Sequence, residues 1–157
     1  AWDRIKVEEK REQAERRERS GLPPKAGNGS LLDDVPSTMP GLMVAVKLQQ
    51  KASKVGFDWN DPGAVLSKIR EELDEAEAEL NANDKAALQD EIGDILFAVA
   101  NLARHMEIDP DQALRGSNTK FRTRFAYIED NVETEGETLQ SASLDTMEQL
   151  WQAAKKA

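Results

Sequence analysis

Five acidic side chains in two short patterns hold the chemistry this chain could perform. Glu71, Glu72 and Glu75 form an E-E-x-x-E pattern, and Glu91 and Asp94 form an E-x-x-D pattern one short loop later. On a helix, residues three or four apart share a face, so Glu72 with Glu75, and Glu91 with Asp94, make two side-by-side carboxylate pairs. If the helices fold back on each other across the polar break NANDK at 81–85, the pairs meet at the same height. Like charges held a few ångströms apart either raise their pKa values or recruit a cation. A hard divalent ion with oxygen ligands suits such a quartet.

The second pair is the more telling one. Acids in a charged helix are ordinarily a solvated face, but Glu91 and Asp94 sit in a strongly apolar stretch, where an ionised carboxylate is costly unless paired or metal-bound. Gly93 between them weakens a helix and so suggests a close approach by another group.

Length and composition bound what can surround this centre. At 157 residues the chain has room for one bundle and an ordinary core. With no cysteine, thiolate metal sites, cysteine nucleophiles and disulfides are excluded, which points to the cytoplasm. No apolar run approaches the roughly 18 residues of a membrane span, so no membrane partner is expected. The net charge of −9 is concentrated: residues 64–94 hold ten acids against three bases. Such a centre opposes direct nucleic-acid binding, which needs lysine and arginine on phosphates. A metal bridging to a small phosphate ligand is compatible with it. The chain also begins without methionine in what reads as mid-helix, as expected of a piece of a longer polypeptide.

The pattern predicts an all-α fold: an antiparallel bundle of about four core helices, preceded by a linker helix and closed by a short C-terminal one. Residues 2–19 are polar nearly all round, with Trp2 and Ile5 as the expected anchors. Gly, Pro, Ser and Asn make a loop of 20–38, so residues 1–38 read as linker and 39–157 as the helical domain. A helix from Met39 should end near Gly56 as its C-cap. Phe57 and Trp59 then lie in a connection where they read as packing anchors, and Asp61 and Pro62 start the next helix. That helix carries Val65, Ile69, Leu73, Ala76 and Leu80 on one stripe. Its partner, from about Asp84 to Met106, has apolar positions on too many sides for one narrow face, so it should be central. Asp109, Pro110 and Gln112 start a further helix that Gly116 interrupts, and Leu144, Met147, Leu150 and Trp151 mark the last one. His105, the sole histidine, reads as a helix-end side chain favoured by the dipole. Without Glu-x-x-His motifs on two helices, a di-iron carboxylate bundle is excluded. There is no P-loop, Rossmann fingerprint or serine elbow.

Together these stretches resemble the C-terminal catalytic domain of the MazG family of nucleoside triphosphate pyrophosphohydrolases, within the all-α NTP pyrophosphatase superfamily. The matching segments are P-G-L-M-x-A-x-K-L-Q-x-K-A from residue 40, V-G-F-D-W at 55–59, E-E-L-D-E at 71–75, E-I-G-D-I-L-F-A-x-x-N-L-A-R-H at 91–105, K-F-x-x-R-F at 120–125 and T-M-E-x-L-W at 146–151. Residues 2–19 resemble the helix that joins the two halves of that family's proteins.

The resemblance implies Mg²⁺, with Mn²⁺ as a substitute, on Glu72, Glu75, Glu91 and Asp94. It implies cleavage of nucleoside triphosphates between the α and β phosphates, and pairing of bundles into a homodimer or higher homo-oligomer. Glu71 is then a second-metal ligand, the base for the attacking water, or a solvated side chain. Lys68, Lys120 and Arg124 become phosphate contacts and Trp151 a platform for the base. Asn101 and Asn118 match family asparagines, which helix–helix hydrogen bonds explain equally. One departure stands out: where relatives often carry a lysine just before E-x-x-D, this chain has Ala87, Leu88, Gln89 and Asp90, with Lys85 the nearest base. The RGSN segment before Lys120 is irregular for a helix interior and could displace Lys120 and Arg124. The competing readings are a narrower dUTP, dCTP or phosphoribosyl-ATP pyrophosphatase, and a catalytically silent helical assembly module.

Overall fold

The computed structural model describes residues 2–22, 29–58, 61–134 and 136–157, with the side chain of residue 3 left aside. Six helices and no strand occur among them: α1 (Trp2–Arg19), α2 (Gly41–Ser53), α3 (Pro62–Asn81), α4 (Lys85–His105), α5 (Pro110–Thr134) and α6 (Leu144–Ala154). The fold is all-α. None of these helices is long and apolar enough to cross a membrane. The chain forms two compact units, residues 1–110 and 111–157.

In the first unit, local chemistry sets the helix ends. The C-cap of α2 is Lys54 rather than the expected Gly56; two residues further on the chain turns at Gly56, whose φ of +87° is the left-handed region open to glycine. There the Phe57 amide donates to the Ala52 carbonyl and the Gly56 amide to that of Ser53, satisfying carbonyls the helix leaves bare. Asp61 caps α3 by accepting from the Gly63 amide at 2.9 Å, with Pro62 at the first helical position. Asp84 caps α4 by accepting from the Ala87 amide at 3.1 Å. Only residues 82–84 separate α3 from α4, which pack along each other, so the two are antiparallel. Helix α4 also packs on α2, where Ala45, Val46 and Ala100 form the buried core with Leu42 against it. It is therefore the central helix of this unit, and it fixes α3 beside it.

Two expectations are corrected here. Trp2 and Ile5 do not anchor α1, being 73% and 50% exposed. The anchor is Arg17, buried against the 33–34 turn, where it bonds Asp34 Oδ1 at 3.0 Å and the Asp33 carbonyl. The apolar stripe of α3 is not turned inward as a whole: Val65 and Glu72 are buried, whereas Leu73 and Leu80 are exposed. Among the described residues, a Cβ at Gly93 would meet nothing within 4 Å, so the close approach expected there is not made by any of them.

In the second unit, α5 runs unbroken through Gly116, correcting the expected interruption. The cost of about 1 kcal/mol for a mid-helix glycine is borne by the other residues of a long helix. Lys120 and Arg124 therefore stay one turn apart on a regular helix. Ser143 caps α6 by accepting from the Thr146 amide at 3.1 Å, and Ile128 and Val132 are buried. Leu144, expected among the apolar anchors of α6, is exposed.

Candidate active site

The antiparallel register of α3 and α4 brings three of the acids together. Glu72, Glu91 and Asp94 each offer a carboxylate oxygen within 4.8 Å of the other two. Glu72 is buried, Glu91 half-buried and Asp94 exposed, so the cluster opens to solvent on the Asp94 side. Glu75 lies outside that trio yet acts on it, holding the Glu72 carboxyl down and pushing the Glu91 carboxyl up. Glu71 points elsewhere: it is exposed, and its contact is Lys68, 3.8 Å away.

Electrostatics at the trio set its two facing glutamates apart. Hydrogen bonding to Glu72 raises the Glu91 carboxyl to about 7, with burial adding to the effect. The same hydrogen bond lowers Glu72, helped by Lys68, whose Nζ lies 3.0 Å from Oε1 of Glu72. In return Glu72, and then Glu71, raise the Lys68 ammonium. Among the described residues no N–H or O–H group reaches the buried Oε2 of Glu91. Two ionised carboxylates cannot bond each other, so Glu91 must either hold a proton or meet a positive ion. An orphaned oxygen among hard oxygen donors, open on one side, fits a divalent cation that retains water and ligand oxygens in its remaining positions.

Beside the trio lies a cleft of about 270 Å³ lined by Val65, Lys68, Glu72, Asp94, Phe97, Ala98 and Asn101. It has carboxylates and an ammonium at one end and apolar walls along α4, the make-up of a small-molecule site. Asn101 is fixed there by an interaction sequence reasoning missed. Arg104 donates to its Oδ1 through Nε at 3.0 Å and Nη2 at 2.8 Å, and also bonds Asp58 Oδ1 at 2.5 Å. His105 Nε2 lies 3.1 Å from the same Asp58 oxygen, and the Arg104 hydrogen bond holds the Asp58 carboxyl below its ordinary range. The histidine thus joins an inter-element cluster rather than merely ending a helix. The signal available was the R-H doublet after the acidic helix and the F-D-W loop, but nothing in their spacing pairs them.

The remaining expected site residues lie in the second unit or outside the described chain. There the Arg124 guanidinium sits 5.3 Å from the centre of the Trp151 ring, and Phe121 lies 5.6 Å from that ring and 6.0 Å from Phe125. Lys120 is exposed on α5. Phe57, expected to pack, is 71% exposed, and Trp59 lies outside the described residues.

Comparison with known proteins gives a consistent answer. Residues 60–128, which cover α3, α4 and much of α5, match the MazG nucleotide pyrophosphohydrolase domain. The chain is 40% identical over 157 residues to the nucleoside triphosphate pyrophosphohydrolase of Escherichia coli K12, an alignment that takes in 99% of this chain and 55% of that protein. It is 34% identical to the nucleoside triphosphate pyrophosphohydrolase/pyrophosphatase MazG of Thermotoga maritima, over 98% of this chain and 54% of that one. It is 43% identical to the uncharacterized protein YabN of Bacillus subtilis, over 81% of this chain and 26% of that one. The chain thus spans about half the length of the first two relatives.

Proposed function

As a member of the MazG family, carrying its nucleotide pyrophosphohydrolase domain over residues 60–128, this chain, we propose, hydrolyses nucleoside triphosphates between the α and β phosphates with Mg²⁺, releasing nucleoside monophosphate and pyrophosphate. The observation that carries the reading is the convergence of Glu72, Glu91 and Asp94 around a buried oxygen of Glu91 that has no donor among the described residues, beside Lys68. The names of the Escherichia coli and Thermotoga maritima relatives support the same activity.

The residues would divide the work as follows. Glu72, Glu91 and Asp94 would hold the Mg²⁺ ion, with Glu75 completing the set, and Mn²⁺ would serve in its place. When bound, the ion supplies charge neutralisation for the triphosphate and a more acidic water. Glu91 gives up its proton to act as a ligand. Lys68, which lines the cleft 3.0 Å from Glu72, would bond a phosphate oxygen. Glu71, exposed and loosely paired with Lys68, would have to turn toward the trio to take a proton from the attacking water, the role the family resemblance implies for it. Lys120 and Arg124 stabilise charge on the departing pyrophosphate, and Trp151 stacks on the base. Of these two groups, Arg124 and Trp151 now contact each other, so substrate must separate them or use them together.

Assembly as a homodimer belongs to the same reading. Ile92, Leu96 and Val99 on α4 and Leu66 and Leu73 on α3 are all at least 40% exposed. An apolar face of that kind favours a partner of the same kind. A narrower substrate range, towards dUTP, dCTP or phosphoribosyl-ATP, shares this chemistry.

The test is to incubate the chain with a panel of nucleoside triphosphates and Mg²⁺ and to separate the products chromatographically. Pyrophosphate and monophosphate are expected, and both should vanish in Glu72→Ala and Asp94→Ala variants that retain their helical content. Release of orthophosphate, or activity surviving both substitutions, would refute the reading and favour a silent assembly module.

A further inference from the structure

Asn101 is the most deeply placed polar side chain beside the carboxylates, at 2% exposure. Its amide has a settled orientation. A guanidinium offers only N–H groups, so the atom that receives both Arg104 bonds must be the amide oxygen. Asp58 in turn holds Arg104 from across the unit, so the clamp does not depend on one flexible side chain. With Oδ1 occupied, Nδ2 is left with two N–H groups and no acceptor among the described residues.

The surroundings show which way that nitrogen faces. Asn101 borders two cavities, the carboxylate cleft and a second one of about 210 Å³. Asp58 and Arg104 line the second and not the first. Arg104 therefore meets the amide oxygen from the side of the second cavity, which leaves the cleft as the side on which the nitrogen can meet a ligand. That nitrogen is not among the buried polar atoms without a partner, so it is open enough to be reached, and a ligand that supplies an acceptor there takes the place of water. Seven residues after Asp94, Asn101 stands two turns up α4, roughly 10 Å along the axis. Where phosphates lie at the acids, that separation reaches the nucleoside end of a nucleotide. Phe97 and Ala98 give the intervening wall an apolar character.

We infer that Asn101, set by the Asp58–Arg104 clamp, donates a hydrogen bond to an acceptor atom on the nucleoside moiety of the nucleotide, and so is a specificity-determining residue, with Arg104 and Asp58 as positioning residues. The inference rests on the proposed nucleotide reading of the cleft, and its test separates the two. Calorimetry with Mg²⁺ measures the dissociation constants of pyrophosphate and of the tightest-binding of AMP, GMP, CMP and UMP. In Asn101→Asp both carboxylate oxygens can still accept from Arg104, so the clamp is retained while the donor is lost. Monophosphate binding should weaken about tenfold or more, the ordinary effect of one buried hydrogen bond, with pyrophosphate binding unchanged. Asn101→Leu, similar in shape and uncharged, should do the same and stands in if the aspartate variant does not fold. Unchanged monophosphate binding in either folded variant, equal weakening of pyrophosphate, or no monophosphate binding by the wild-type chain overturns the inference. A wild-type chain that binds monophosphate through Asn101 yet cleaves no triphosphate refutes the hydrolysis alone.

Discussion

Glu72 and Glu91 face each other across the α3–α4 hairpin with Lys68 on the Glu72 side and, among the described residues, no donor for the buried oxygen of Glu91. The pair therefore titrates asymmetrically, Glu72 below its ordinary value and Glu91 up to about 7. A carboxyl whose folded pKa lies above its unfolded value contributes stability at low pH that is lost as pH rises through the folded value. For Glu91 that window runs from about 4.3 to about 7. Glu72, shifted the other way, loses its contribution only as pH falls below the ordinary glutamate range, outside this window. In Glu91→Gln the amide donates to Glu72 without needing a proton. Without metal, the melting temperature of the variant relative to wild type should rise between pH 5 and pH 8. Adding Mg²⁺ at pH 8 should reverse the order, because only the wild type binds it well. A difference that is constant with pH would contradict the shared proton.

The exposed apolar face of α3 and α4 leads to a second expectation. Leu96 is 51% exposed in the single chain, where a polar replacement would be close to neutral. In a two-fold dimer each copy would be buried, contributing about 1.5–3 kcal/mol, and a glutamate would place charge there twice. Sedimentation should give a dimer for wild type and a monomer for Leu96→Glu, with unchanged circular dichroism. A monomeric wild type at micromolar concentration would remove the dimer from the reading.

Arg124 and Trp151 can be examined within the second unit alone. Their cation–π contact at 5.3 Å should couple them by about 0.5–1 kcal/mol in a double-mutant stability cycle. If the ring receives the base, nucleotide binding should change the protein's fluorescence, and that change should be lost in Trp151→Phe. A fluorescence change that survives in Trp151→Phe would make Trp151 a packing residue.

How far the site could be read from sequence depends on whether its determinants are local. The Asp61 and Asp84 caps, the Gly56 turn and the convergence of Glu72 with Glu91 and Asp94 all follow from short-range spacing and one hairpin. Periodicity reports where apolar residues fall on a helix but not what covers them, so the α3 stripe was legible while the burial of Glu72 in place of Leu73 was not. The Asp58–Arg104–Asn101 clamp joins positions 46 residues apart, and no spacing rule pairs them. Gly116 misled for a related reason: a local propensity was outweighed by the rest of a 25-residue helix.

Arg17 shows the same limit and gives the last expectation. In a helix polar on nearly every side, nothing singles out one arginine among several, yet Arg17 alone of α1's described residues is buried. Its guanidinium reaches a carboxylate on Asp34 and a carbonyl on Asp33, two acceptors that a planar fork serves at once and a lysine ammonium serves poorly. Next to it the Leu22 amide donates to the Arg17 carbonyl and the Ser37 amide to that of Gly21, so the end of α1 and the 33–37 segment hold each other. Arg17→Ala should remove that contact and leave the Asp33 carbonyl short of a partner, at a cost of about 1–3 kcal/mol. Hydrogen exchange should quicken at the amides of Leu22, Val35 and Ser37, while those of α3 and α4 keep their protection, and Arg17→Lys should restore little. Exchange that quickens equally throughout α2–α4 would instead make the contact part of the core of this unit rather than a local clasp on its first helix.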